Sequence, residues 1–216
     1  MKLSLAQELM LLALKDDKGT LATESSSLKI GLAGSLIMEL LFDDRIMMVD
    51  NKVQVLNPST HPDAFLEETL GYIRDSKKPR KLKDWVSRIN GKMPKLIKEM
   101  THSLVIAGIL HHEEDKVLWV FPHHKFPTND ATPELLIRRR IENVVLGGNT
   151  PDERTSALIS IALACQLTGE LFEKSDRKEA KKRMKAISKA SESSVVGKVI
   201  DEMHAAVATV IVVAGS

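Results

Sequence analysis

Between Leu28 and Leu56 the spacing of apolar residues changes period, and the other segments read as elements packed around that stretch. Leu28, Leu32, Leu36, Leu40 and Leu41 recur at helical spacing, with Ile37 widening the stripe. The pattern predicts a helix that buries most of its circumference against other helices. Gly31 and Gly34 lower its helix propensity and predict a close backbone approach at that end. After Asp43 and Asp44 the period shortens: Ile46, Met47 and Met48 lead to Asp50-Asn51, and Val53 and Val55 then alternate with polar residues. A β-hairpin is expected there, its turn residues in the left-handed conformations that a two-residue connection demands.

The remaining elements follow from the same signals. Ser4 and Gln7 form a capping box ahead of a first helix whose apolar face is Leu5, Leu9, Leu12 and Ala13, ended by Asp16 to Gly19. A Ser-rich loop, Thr20 to Ser27, supplies the N-cap of the next helix. Asp63 caps a short helix carrying Leu66, Leu70 and Ile73. Asp75 to Lys83, with Lys77, Lys78, Arg80, Lys81 and Lys83 around Pro79, reads as a solvated linker and a candidate boundary. Leu82, Trp85, Val86 and Ile89 define a brief helix closed by Asn90-Gly91, and Leu96, Ile97, Met100 and Leu104 define another. Ile109 to Phe121 repeats the helix-to-hairpin transition, with a turn at Glu113 to Lys116 and alternation from Val117 to Phe121.

The later half is helical. Thr132-Pro133 starts a helix that Gly147-Gly148 stops, and Thr150-Pro151-Asp152-Glu153 reads as a capping box with Pro at the first helical position. The helix it opens is apolar nearly all round as far as Cys165 and should be enclosed. Lys174 to Lys189 is basic, with Ala180, Met184 and Ile187 as a narrow stripe. Ser191 to Ser194 separates it from a closing helix, in which Ala205 to Ala214 falls well short of the roughly 20 residues of a membrane span. The expected fold is mainly α: a single globular helical domain over residues 1–216, built around a buried apolar helix, with short surface β-hairpins.

Composition narrows the setting. The chain is 43% hydrophobic and 28% charged, which suits one sizeable core. A formal net charge of +2 is too small to imply a polyanionic partner, so local clusters decide. A single cysteine, Cys165, excludes an internal disulfide, and Met1 to Met10 lacks the layout of a secretory signal, so a reducing cytoplasmic setting is expected.

Few residues carry recognisable chemistry. His111, His112, His123 and His124 sit near Glu113, Glu114 and Asp115, but neighbouring histidines on a strand point to opposite faces, which favours a solvated hairpin over a metal centre. Cys165 has no positive neighbour to depress its pKa and reads as core. No nucleophile elbow, phosphate-cradling loop or HExxH motif is present, so no enzyme activity and no cofactor are expected. Arg138-Arg139-Arg140 can fan across the outer arc of its helix and reach several phosphate oxygens, or can simply solvate that face. The basic Lys174 to Lys189 helix has the same two readings, its lysines suiting diffuse attraction to an anionic membrane or to nucleic acid. Two helix-hairpin units also fit a winged-helix nucleic-acid-binding module.

The succession LAQELMLLALKDDKGT, IGLAGSLIMELLFDDRI, PSTHPDAFLEETL, KDWVSRI and ERTSALISIALA resembles the Golgi phosphoprotein 3 family in order along nearly the entire chain. The resemblance implies a mainly helical domain with a buried apolar helix at its centre. In eukaryotic members it implies a peripheral membrane protein on the cytosolic face of the Golgi that binds phosphatidylinositol 4-phosphate and retains glycosyltransferases through their cytoplasmic tails. It also implies self-association through the hairpin from Arg45 to Leu56. The family pocket uses a Trp where this chain has Glu24, an Arg where it has Ala33 in Gly31-Leu32-Ala33-Gly34, and a later basic region matched by Arg138, Arg139 and Arg140. Losing one such arginine forfeits roughly 1.5 to 3 kcal/mol, so headgroup affinity is expected to fall at least about tenfold. The pattern looks like that of bacterial-type members, with another anionic phospholipid in place of phosphatidylinositol 4-phosphate.

Overall fold

The computed structural model describes residues 2–15, 20–111, 113–115, 123–125 and 128–190. Among them lie nine helices and five short strands: α1 (Leu5–Leu12), α2 (Ser25–Phe42), β1 (Ile46–Val49), β2 (Lys52–Val55), α3 (Ala64–Arg74), β3 (Arg80–Lys81), α4 (Leu82–Lys92), α5 (Leu96–Ile106), β4 (Glu113–Asp115), β5 (His123–Lys125), α6 (Thr132–Val145), α7 (Glu153–Ala164), α8 (Thr168–Leu171) and α9 (Arg177–Ala190). The fold is mainly helical, as the periodicity predicts.

The apolar helix α2 is the centre of one contiguous hydrophobic core. It packs against α1, α3, α4, α5 and α7, and its side chains from Ile30 to Leu40 are all buried. By length and composition alone α2 could cross a membrane, yet 72% of it is enclosed by protein, which makes it a core helix. At Gly31 side chains of α1 and of α7 with its cap press against the backbone of α2. A Cβ there would stand 2.5 Å from Cys165 Sγ and 3.1 Å from Leu9 Cδ2, so only glycine fits the approach. α7 is likewise enclosed from Thr155 to Ala162. The stripe of α9 is as narrow as expected, with Ala180, Met184 and Ile187 buried.

The hairpin forms in the expected register, Ile46 opposite Val55 and Met48 opposite Val53. Asp50 and Asn51 turn it with φ of 49° and 58°. A third strand extends this sheet. β3 pairs antiparallel to β2, with Val53 opposite Arg80 and Lys52 opposite Lys81, inside the stretch whose charge predicts a solvated linker. Backbone amides pair with an open strand edge whatever side chains they carry, and a short basic strand is a common cover for such an edge.

Other boundaries also move. α4 runs through Asn90 and Gly91 to Lys92, because Met93, only 3% exposed, carries the chain on into the core. α7 begins at Glu153 with Asp152 as its cap, two positions later than the Thr150 capping box predicts, and Pro151 lies ahead of the cap. α2 has no side-chain cap, since Glu24 occupies that position. The polar residues Glu113 to Asp115 are strand, paired with His123 to Lys125, where a turn is expected. Ladder hydrogen bonds there override weak β propensity. The expected alternation at Val117 to Phe121, the stop at Asp16 to Gly19, the Ser191 to Ser194 break and the closing helix lie outside the described residues.

Candidate functional site: the arginine row of α6 and a buried ion network

The three arginines of α6 are divided by the geometry of the helix, whose successive residues point about 100° apart. Arg138 Nε donates to Glu134 Oε1 at 2.7 Å, and its Nη1 donates to the Glu170 carbonyl at 2.7 Å. Arg140 Nη2 donates to Glu8 Oε2 at 2.5 Å. Arg139 is exposed and has no carboxylate within ion-pair distance among the described residues. The row therefore does not fan outward as a unit. Its two ends are turned to the protein and its middle residue to solvent.

Arg140 belongs to a network that amphipathic patterning does not reveal. Glu8 and Glu39 are only 6% and 3% exposed, on α1 and α2. Arg154, from α7, donates Nη1 to Glu39 Oε1 at 2.6 Å and Nη2 to the Leu3 carbonyl at 2.9 Å. Arg154 Nη2 also lies 3.8 Å from Glu8 Oε1, and the Leu5 amide donates to Glu39 Oε2 at 2.6 Å. Four helices, α1, α2, α6 and α7, are thus joined by two carboxylates and two guanidiniums. Nearby, Asp152 accepts from the Thr155 amide at 2.6 Å, and its carboxyl is held below its usual value by Thr155 and then by the fields of Arg140 and Arg154. The sequence does carry a signal for these acids: each interrupts an otherwise apolar helix, and a charge so placed needs a partner.

The two substituted pocket positions are separated by burial. Ala33 is fully enclosed in the core, whereas Glu24 is exposed at the start of α2. Cys165 is fully buried, and loss of hydration pushes its thiol up to about 12, consistent with a packing role. Among the described residues no three His, Cys, Asp or Glu side chains are grouped to hold a metal ion. The side chains of His112, His123 and His124 lie outside the described residues. The winged-helix reading meets a steric obstacle in its first unit: the helix before the β1–β2 hairpin is α2, which is buried and cannot enter a DNA groove.

Two comparisons with known proteins agree with this architecture. The chain is 26% identical over 197 residues to vacuolar protein sorting-associated protein 74 of Eremothecium gossypii, an alignment covering 77% of this chain and 59% of that relative. It therefore spans about three fifths of the length of the curated relative. The Golgi phosphoprotein 3 (GPP34) family description matches residues 5–207, taking in α1 to α9 and so both the central helix and the ion network. By that match over nearly its full length, the chain belongs to the Golgi phosphoprotein 3 family.

Proposed function

We propose that this protein is a non-enzymatic peripheral adaptor that sits on the cytoplasmic face of an anionic membrane, Golgi-associated as its family name suggests, and holds protein cargo there through their tails. The observation that carries the reading is the family match across residues 5–207. The name of the Eremothecium gossypii relative, which refers to vacuolar protein sorting, supports it. No step of bond making or breaking is needed for such a role.

Arg139 is the residue of the α6 row best placed to meet a phospholipid headgroup, because its charge is not spent on a protein carboxylate. Arg138 and Arg140 fix the helix that presents it. Phosphatidylinositol 4-phosphate is disfavoured as the natural lipid by the enclosed Ala33 and by the negative charge of exposed Glu24. A less specialised anionic phospholipid suits the site better. Self-association would use the β1 edge of the hairpin from Arg45 to Leu56, since β2 is already flanked on both sides.

Liposome co-sedimentation at physiological salt tests this. Neutral, generic anionic and phosphatidylinositol 4-phosphate vesicles would be compared for the wild type and for Arg139→Ala. Binding to both kinds of anionic vesicle, weakened by Arg139→Ala, is expected. Selectivity for the phosphoinositide would overturn the argument from Ala33 and Glu24, and failure to bind any vesicle would remove the membrane from the reading.

A further inference from the structure

Arg177 opens α9 with its guanidinium laid across the end of α8. Its Nε donates to the Phe172 carbonyl at 3.0 Å and its Nη2 to the Gly169 carbonyl at 2.6 Å. These bonds fix the group in place without neutralising it. Among the described residues no carboxylate lies within ion-pair distance of Arg177. Gly169 keeps the guanidinium uncovered: a Cβ at this position would stand 3.7 Å from Arg177 Cζ, and a longer side chain would lie over it.

In front of the guanidinium is a recess of about 340 Å³ bounded by Leu163, Gln166, Thr168, Gly169, Arg177 and Lys181. Lys181 stands one turn beyond Arg177 on the same face of α9, also without an acidic partner among the described residues. Gln166 is exposed at the turn after α7, held at a φ of 60° that is rare for a side-chain-bearing residue. Its side-chain amide makes no hydrogen bond within the described protein. A preorganised fork of donors, a mobile point charge and a free amide thus converge on one concavity, contributed by three successive elements.

We propose that this recess is a binding site for a phosphomonoester. The dianionic group matches the two uncompensated cations, the remaining guanidinium hydrogens suit its oxygens, and Gln166 supplies a further donor. The volume lies at the small end of ligand sites and fits a phosphate with a short polar substituent. Lys178, Lys182, Lys185 and Lys189 line the adjoining face of α9 and raise the local concentration of anions. The phosphate belongs either to a soluble ester or to a lipid such as phosphatidic acid, whose headgroup is the same chemical group. The site is separate from Arg139 and does not rest on the adaptor reading.

The test uses the whole ¹⁵N-labelled chain at constant ionic strength. Inorganic phosphate and glycerol 3-phosphate are titrated while the amide signals of Gln166, Thr168 and Gly169 are followed. A parallel co-sedimentation compares phosphatidylcholine vesicles carrying phosphatidic acid with vesicles carrying phosphatidylglycerol at equal surface charge. Saturable shifts at these amides, or preference for phosphatidic acid, are expected, the first assigning a soluble ester and the second a lipid headgroup. Lys181→Ala should weaken the interaction at least about tenfold, whereas Lys189→Ala, which removes the same charge outside the recess, should change it less than about twofold. Arg177→Ala is avoided because Arg177 also caps α8. No saturable shift together with no lipid preference would overturn the proposal, as would equal loss in the two lysine variants.

Discussion

Arg154 of α7 reaches Glu39 of α2 at 2.6 Å in a site where Glu39 is only 3% exposed. Removing the guanidinium leaves a buried carboxylate facing one backbone amide. Arg154→Ala is expected to destabilise the fold by about 3 to 5 kcal/mol, the range for breaking one partner of a buried pair. Urea unfolding checks it, and Arg139→Ala, on the exposed arc of α6, should change the unfolding free energy by less than about 0.5 kcal/mol.

Gly31 faces Cys165 across the α2–α7 contact. Gly31→Ala improves helix propensity by about 1 kcal/mol but drives a methyl to 2.5 Å from Sγ. Net destabilisation of about 1 to 3 kcal/mol is expected from overpacking. Combining it with Cys165→Ala removes the colliding sulfur, so the double variant should be more stable than the two single losses predict.

The Cys165 thiol, pushed up from 9.0 to about 12 by burial, is protonated and shielded in the native protein. Thiol reagents at pH 8 should leave the folded chain unmodified and label the single cysteine on unfolding. Because the folded value lies above the unfolded one, the linked stability is present below pH 9 and declines as pH rises from 9 toward 12. Cys165→Ala should flatten that alkaline decline.

Asp152 accepts from the Thr155 amide, and hydrogen bonding to Thr155, through its side chain first and its amide second, holds the Asp152 carboxyl below its usual value. Asp152→Ala should cost about 1 kcal/mol at neutral pH by removing the cap of α7. The contribution is present above the ordinary value of 3.8 and is lost as pH falls through the lower folded value, so wild type and variant should converge in acid.

At the β1–β2 turn, Asp50 and Asn51 both hold positive φ. Asn51→Gly should be neutral or slightly stabilising, while Asn51→Val should cost about 1 to 2 kcal/mol because a β-branched residue resists the left-handed region. Thermal unfolding of the pair discriminates them.

What the sequence reveals here is what neighbouring residues determine. The Ser4–Gln7 box, the Asp50-Asn51 turn, the Asp63 cap and the stripe of α9 all form as read, because each depends on side chains a few positions apart. β3 escapes notice because its cause is an open edge on β2, not anything in Arg80 or Lys81. The division of Arg138, Arg139 and Arg140 depends on Glu8, 132 residues from Arg140, and on the carbonyl of Glu170, 32 residues from Arg138. The Glu134–Arg138 pair is local, but no local pattern tells Arg139 from Arg140. The recess at Arg177 depends in the same way on where α8 ends.

The ion network also has a temporal side. Glu39 precedes Arg154 by 115 residues, so on the ribosome the acid emerges first. At about 5 to 20 residues per second the interval is on the order of ten seconds. For most of it, until Arg140 and then Arg154 emerge, α1 and α2 carry two carboxylates with no guanidinium to receive them, and the core around them cannot close dry. The central helix of the finished protein is therefore among the last parts to be sealed during synthesis, and the nascent chain must keep α2, its most apolar element, out of wrong company until α7 arrives.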